Sequence, residues 1–267
     1  MTQLPHTTSI DLDITGDWLT IWFNQPQRRN PLTDDVVNEL IAVCDAVGGS
    51  CTVRGISLRG RGGFFCAGGD LKSFEALARG DTTAAVASSQ RVGELLAKLN
   101  SLPQVTLALL EGAAMAGGLG VACCCDVILA TSDTKFAFSE TRIGISPAQI
   151  ARYVIQKCGY ATARRLMLTA ARFDGTEAQE IGLVDCLANS SEELMALERH
   201  IRADVLACSP SAIAATKALI IALPNVAIDH TIEFAAKNFT ACLQSSDGRE
   251  GVRAFLDKRK PSWQQES

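Results

Sequence analysis

Residues 105–126, VTLALLEGAAMAGGLGVACCCD, run from an apolar stretch through glycines into three cysteines, with Glu111 the only charge before Asp126. So apolar a segment must be buried. Its first residues suit a buried strand, and the small residues after Glu111 suit a turn that opens into a helix. A second stretch, GRGGFFCAGGDL at 60–71, repeats the arrangement after the strand-like VRGISLRG at 53–60. Strand, glycine turn and helix in succession indicate an α/β layout with several parallel strands, whose ligand sites lie at strand ends and glycine turns.

The rest of the chain agrees. SIDLDI (9–14) and LTIWFN (19–24) flank Gly16-Asp17 as a hairpin. Val36, Val37, Leu40, Ile41 and Cys44 then recur at helical spacing, with Thr33 as N-cap and Gly48-Gly49 as the stop. A further helix is predicted over 84–100 from Val92, Leu95, Leu96 and Leu99, and DVILATSD (126–133) and KFAFSE (135–140) follow. From about Glu192 the pattern is helical, with one stripe through Leu194, Leu197, Ile201 and Val205 and another through Ile228, Ile232, Ala235, Phe239 and Cys242. The expectation is a core over 1–195 and a helical region over 196–267.

Composition limits the function. Lys and Arg number 25 against 29 Asp and Glu, which disfavours nucleic acid as the main partner, since such affinity comes from neutralising phosphates. No apolar run reaches membrane-spanning length and no basic segment precedes one, so the reading is a soluble, cytoplasmic protein without a signal peptide. The ten cysteines then act as reduced, small apolar residues. Cys123, Cys124 and Cys125 are contiguous with no histidine nearby, which is not a metal spacing, so no metal site is expected.

A helix that starts straight after a glycine turn offers unpaired N–H groups and the positive end of its dipole, with no side chain in the way. It can hold an anion or a developing oxyanion. Tight helix packing on the strands is the alternative reading of the same glycines. Neither a G-x-x-x-x-G-K-[ST] nor a well-placed G-x-G-x-x-G pattern is present, so a nucleotide loop is not supported.

FFCAGGDL (64–71), EGAAMAGGLGVACCCD (111–126), FAFSETRIGISP (136–147) and EGVRAFLDKRKPSW (250–263) together resemble the crotonase, or enoyl-CoA hydratase/isomerase, superfamily. Within it, FSETRIGISP and RFDG (172–175) look most like hydratases of branched glutaconyl-CoA thioesters, the 3-methylglutaconyl and isohexenylglutaconyl types. The resemblance implies a ββα spiral core with a C-terminal helical trimerisation region, assembled as a homo-oligomer, a trimer or dimer of trimers. It places the two oxyanion-hole amides on Gly69 and Gly117, facing the thioester carbonyl of an acyl-CoA. No cofactor is implied, coenzyme A being part of the substrate.

The same resemblance puts the CoA adenine pocket along Ala67, Asp70 and Leu71, and further CoA contacts at Arg28, Arg29, Phe255 and Lys258. Guanidinium groups suit phosphates. It also marks a departure. Hydratases with two acids carry one glutamate at the position of Gly120 and another at that of Glu140, and here only Glu140 remains. Gly120 is therefore expected to leave room for a branched acyl chain or a water, with Arg142 or Lys72 pairing with a substrate carboxylate. One carboxylate suffices for an isomerase, which moves a proton between C2 and C4. It also suffices for a hydratase if it serves first as base and then as acid. A CoA-binding scaffold without chemistry is the third reading.

Overall fold

The hairpin at the start of the chain forms because Gly16 takes a left-handed φ of +60° between two alternating segments. It joins β1 (Ile10–Thr15) antiparallel to β2 (Trp18–Phe23). The computed structural model describes residues 3–50 and 52–264. After the hairpin, α1 (Asp34–Gly48) begins at Thr33, whose side chain accepts from the Val36 N–H, and buries Val36, Val37, Leu40, Ile41 and Cys44. β3 (Gly55–Gly60) leads through the first glycine stretch into α2 (Leu71–Arg79) and α3 (Thr82–Ser101). β4 (Val105–Leu110) leads through the second, by way of β5 (Ala113–Met115), into α4 (Ala116–Cys123). The order then runs β6 (Val127–Thr131), β7 (Lys135–Ala137), α5 (Ala151–Thr169), β8 (Phe173–Asp174), α6 (Gly175–Glu180) and β9 (Cys186–Ala188).

Two sheets result. The larger has the order β1-β2-β3-β4-β6-β9, parallel throughout except for the hairpin, and the smaller has the order β5-β7-β8. The interior of the large sheet is almost continuously apolar, as parallel strands covered on both faces require. Ile56, Leu58, Leu107, Leu110, Ile128 and Leu129 are fully buried there. Both glycine stretches leave the same end of the large sheet, because β3 and β4 are adjacent and parallel.

The last part of the chain is α7 (Ser191–Ala207), α8 (Pro210–Ala222), α9 (Thr231–Gln244) and α10 (Ser246–Leu256). The expected boundary between 195 and 196 falls inside α7 and needs correction. Leu194, Glu198 and Val205 of that helix are buried, the first and last in a cluster with Trp18, Leu107 and Leu129. A polar chain fixes it further: Trp18 Nε1 donates to Ser57 Oγ at 2.8 Å, and Ser57 Oγ donates to Glu198 Oε1 at 2.6 Å. α7 thus belongs to the core, and α8 is tied to it as well, Ile213 packing on the same cluster and Lys217 pairing with Asp126. Beyond α8, Ile228, Ile232, Phe239, Phe255 and Leu256 are exposed. Among the described residues no single helix is long and apolar enough to cross a membrane.

Candidate active site

The two glycine stretches meet backbone on backbone. Met115 N–H donates to Cys66 O at 2.9 Å, and Cys66 N–H donates to Ala113 O at 3.3 Å. No side chain fits between them: a Cβ on Gly118 would lie 2.6 Å from the Cys66 side chain, and one on Gly68, whose φ is +91°, would lie 2.9 Å from Ala116 Cβ. Ala116 is itself left-handed, with φ of 48°. That conformation costs an alanine about 1–2 kcal/mol, a strain concentrated where the chain turns into α4.

The turn exposes two amides side by side. Gly117 is the second residue of α4, so its N–H lies beyond the reach of any helical acceptor. Gly69 sits just before α2, and among the described residues neither glycine N–H donates to a protein acceptor. A Cβ on Gly117 would stand 4.0 Å from Gly69 N and 3.4 Å from Leu32 Cδ1.

Glu140 completes the group. It follows β7 in a short 3-10 turn, Glu140–Ile143, closed by Gly144 at φ 79° and by a 3.2 Å bond from Ile145 N–H to Glu140 O. The residue is only 8% exposed, and among the described residues nothing donates a hydrogen bond to its Oε2. Burial pushes its pKa above the ordinary glutamate value, against the opposing pull of its own N–H. Gly69, Gly117 and Glu140 all line one cavity of about 380 Å³, walled also by apolar Leu32, Val37, Phe74, Leu77, Val92 and Ile150. Its size is ordinary for a small-molecule site.

A larger cavity, about 690 Å³, lies between the triple cysteine and α8 and includes none of these residues. Size alone would select it, but its groups do not suit acyl chemistry. Cys123, Cys124 and Cys125 are buried, and burial pushes their thiols up, Cys125 to about 12. Its two lysines bond to Asp126, Lys157 through the backbone oxygen and Lys217 through the carboxylate. Among the described residues no group of His, Cys, Asp or Glu could hold a metal ion; Cys51 lies outside the described residues.

Two unpaired amides beside a buried carboxyl, at the end of a parallel sheet, can polarise a carbonyl while a proton moves near it. Residues 15–266 match the Enoyl-CoA hydratase/isomerase family. The chain belongs to that family. It is similar in structure to Pseudomonas aeruginosa AtuE, with a TM-score of 0.94 and 40% identity over 97% of this chain and 100% of that one. It is 30% identical to the enoyl-CoA hydratase ACTT6 of Alternaria alternata over 247 residues, covering 92% of this chain and 80% of the relative. It is also 30% identical to a mitochondrial Δ(3,5)-Δ(2,4)-dienoyl-CoA isomerase of Dictyostelium discoideum over 253 residues, 89% of this chain and 84% of the relative. These two relatives, one named a hydratase and one an isomerase, are equally identical to this chain, which has the crotonase fold.

The positions expected to contact CoA lie as follows. Arg28 lies on a 3-10 turn, half-exposed, and pairs with Asp70 at 3.0 Å. Burial raises the Asp70 carboxyl, but hydrogen bonds from Arg28 and the Lys72 N–H, with the Arg28 charge, outweigh it and hold the pKa low. Arg29 forms no ion pair among the described residues and stacks over Phe64 at 5.4 Å. Ala67 N–H donates to Arg29 O at 2.9 Å. Leu71, at the first turn of α2, is 62% exposed. Phe255 in α10 and Lys258 just beyond it are also exposed, and neither lines the Glu140 cavity.

Two expectations are corrected. Gly120 leaves no room: it is buried, it does not line the cavity, and a Cβ there would lie 2.1 Å from Ile150 Cγ2. Ile150 has filled the space. Arg142 is turned away, its guanidinium donating to Ala170 O at 3.0 and 3.2 Å at the end of α5. Lys72 does not line the cavity either, and among the described residues no Lys, Arg or His does.

Several lining residues escaped the sequence reading. Phe74 and Leu77 lie on α2, which Asp70 caps by accepting from the Lys72 N–H. Ser88, Ser89 and Gln149 are polar, and Gln149 Nε2 donates to Ser89 Oγ at 3.0 Å across the cavity rim. Leu32, wedged between the two glycine segments, was indistinguishable from any apolar residue before a helix.

Proposed function

We propose that the protein is an enoyl-CoA hydratase that adds water across the α,β double bond of a branched, glutaconyl-type acyl-CoA, of the 3-methylglutaconyl or isohexenylglutaconyl kind. The observation that carries the activity is the shared cavity of Gly69, Gly117 and Glu140, with both glycine amides unpaired and the one acid buried. In this reading Glu140 takes a proton from water as the oxygen attacks C3. The electron pair of the double bond moves toward the thioester oxygen, where the Gly69 and Gly117 amides hold the enolate. Glu140 then returns the proton to C2. Preorganised donors of this kind contribute about a hundredfold to a thousandfold each. No oxidation occurs, so the step asks for no redox cofactor, and CoA enters with the substrate.

The branched acyl group finds support in the cavity walls. On the far side of Ser146, Pro147 and Ala148 lies a second, largely apolar cavity of about 480 Å³, lined by Ala151, Ile155, Tyr160, Met167 and Leu168. The three loop residues line both chambers. Within the Glu140 cavity a glutaconyl carboxylate would meet the neutral donors Ser88, Ser89 and Gln149, while Arg164 lines the second cavity. Assembly as a trimer or dimer of trimers accords with the apolar residues exposed on α9 and α10.

The isomerase reading rests on one observation: Ile150 fills the space at Gly120, leaving Glu140 the one buried carboxyl on the wall. A panel of enoyl-CoA thioesters separates the two readings. Hydration lowers absorbance at the conjugated thioester band with gain of one water by mass spectrometry. A rise in absorbance on Δ3 substrates without gain of water would replace the hydratase reading with the isomerase.

A further inference from the structure

The turn before α1 carries an unusual pair: Arg29 and Asn30 both have left-handed backbones, with φ of 60° and 55°. Only glycine adopts that region freely; asparagine tolerates it best among the others. Asn30 is also 1% exposed, so its polar side chain must be satisfied within the protein. It is fully used. Oδ1 accepts from Gln25 N–H at 2.9 Å, and Nδ2 donates to Arg61 O at 3.0 Å and Phe64 O at 2.7 Å.

Those carbonyls belong to the loop that runs directly into Gly69. The neighbours of Asn30 grip the same loop further along: Arg29 O accepts from Ala67 N–H at 2.9 Å, and Leu32 N–H donates to Gly68 O at 2.8 Å. Leu32 then sits 3.4 Å from where a Gly117 Cβ would be. From Arg61 to Gly68, the segment that presents the Gly69 amide is therefore suspended from residues 29–32. Asn30 is the one of these whose side chain hydrogen-bonds to the segment, while the Arg29 guanidinium stacks over Phe64.

We infer that Asn30 is a positioning residue for the oxyanion site: its three side-chain hydrogen bonds fix the 61–68 loop so that the Gly69 N–H points beside that of Gly117. The inference rests on the oxyanion reading of Gly69 and Gly117. Asn30 touches neither cavity nor substrate, and its effect is on the geometry of a donor. A displacement of about 1 Å at such a donor costs on the order of a hundredfold in rate.

Asn30→Gly keeps the left-handed backbone and deletes the side-chain bonds. Asn30→Asp keeps the acceptor for Gln25 but turns an oxygen toward the Arg61 and Phe64 carbonyls. Both are expected to lower kcat about tenfold or more, with KM and CoA affinity within about twofold. Hydrogen exchange should quicken in peptides spanning 64–71. Gln104→Ala is the control: it removes a buried bond to Val47 O, far from the cavity, and should lower the melting temperature without changing kcat. Folded Asn30 variants with unchanged kcat and unchanged exchange at 64–71 would overturn the role. So would a kcat loss matched by an equal loss of CoA affinity. A wild-type chain that processes no enoyl thioester would overturn the activity reading instead, and the exchange measurement would still decide whether Asn30 holds the loop.

Discussion

The backbone nitrogen of Gly69 lies 4.0 Å from the position a Cβ would take on Gly117, although the two residues belong to separate strand-to-helix connections. At Gly117 an added methyl meets only ordinary contacts, the nearest being Leu32 Cδ1 at 3.4 Å. Gly117→Ala should therefore fold with nearly wild-type stability while placing a methyl beside the paired amides. The expected result is a fall in kcat of about tenfold to a hundredfold, with a melting temperature close to the parent. Full activity in the variant would show that the two amides do not share one oxygen.

Glu140 links activity to pH. Its carboxyl has a raised pKa in the folded protein, chiefly from burial. The fold thus holds the proton more tightly than the unfolded chain does. The stability that goes with this proton is fully present below the ordinary glutamate value of about 4.3, and it is lost as pH rises through the raised folded value. Glu140→Gln keeps the shape without the charge. It should abolish turnover, match the parent in melting temperature at acid pH, and exceed it increasingly toward neutrality. A gap that does not change with pH would mean that burial is not what raises the carboxyl.

Much of the fold was legible because local signals agreed with each other. Thr33 caps α1 where expected, Gly16 turns the hairpin, and the two glycine stretches do open helices. The region from 141 to 190 was not legible. α5 contains Gly159 at φ 76°, which breaks the helical period, and β8 and β9 are too short to show alternation. The boundary at 195 failed because α7 carries one stripe continuously across it. Within the site, Glu140 and the glycines could be read from their motifs, but the fate of Gly120 could not. Its neighbour Ile150 is thirty positions away, and only packing brings them together.

That packing makes a test of the single-acid site. Gly120→Glu alone must push Ile150 aside from a buried position, since a Cβ would already lie 2.1 and 2.6 Å from its branch. Overpacking of this kind typically costs about 1–3 kcal/mol, and an unpaired buried carboxylate adds to it. The single variant should melt well below the parent. Combining it with Ile150→Gly removes both clashing atoms and should restore part of the lost melting temperature, the buried carboxylate keeping the rest of the loss. Equal destabilisation with and without Ile150→Gly would show that another contact excludes a side chain at 120.

The second apolar cavity predicts how acyl groups are sorted. Met167 lines that chamber and not the Glu140 cavity, so Met167→Trp should fill it without touching the reacting atoms. Each CH₂ that loses its apolar surroundings costs about 0.8 kcal/mol, so a long branch denied two such groups loses roughly tenfold in kcat/KM. A methyl-branched thioester ends before the wall and should be unaffected. Parallel kinetics on 3-methylglutaconyl-CoA and isohexenylglutaconyl-CoA read the difference directly. If both fall together, or neither does, the branch does not pass beyond Ser146–Ala148 and the first cavity alone sets the substrate.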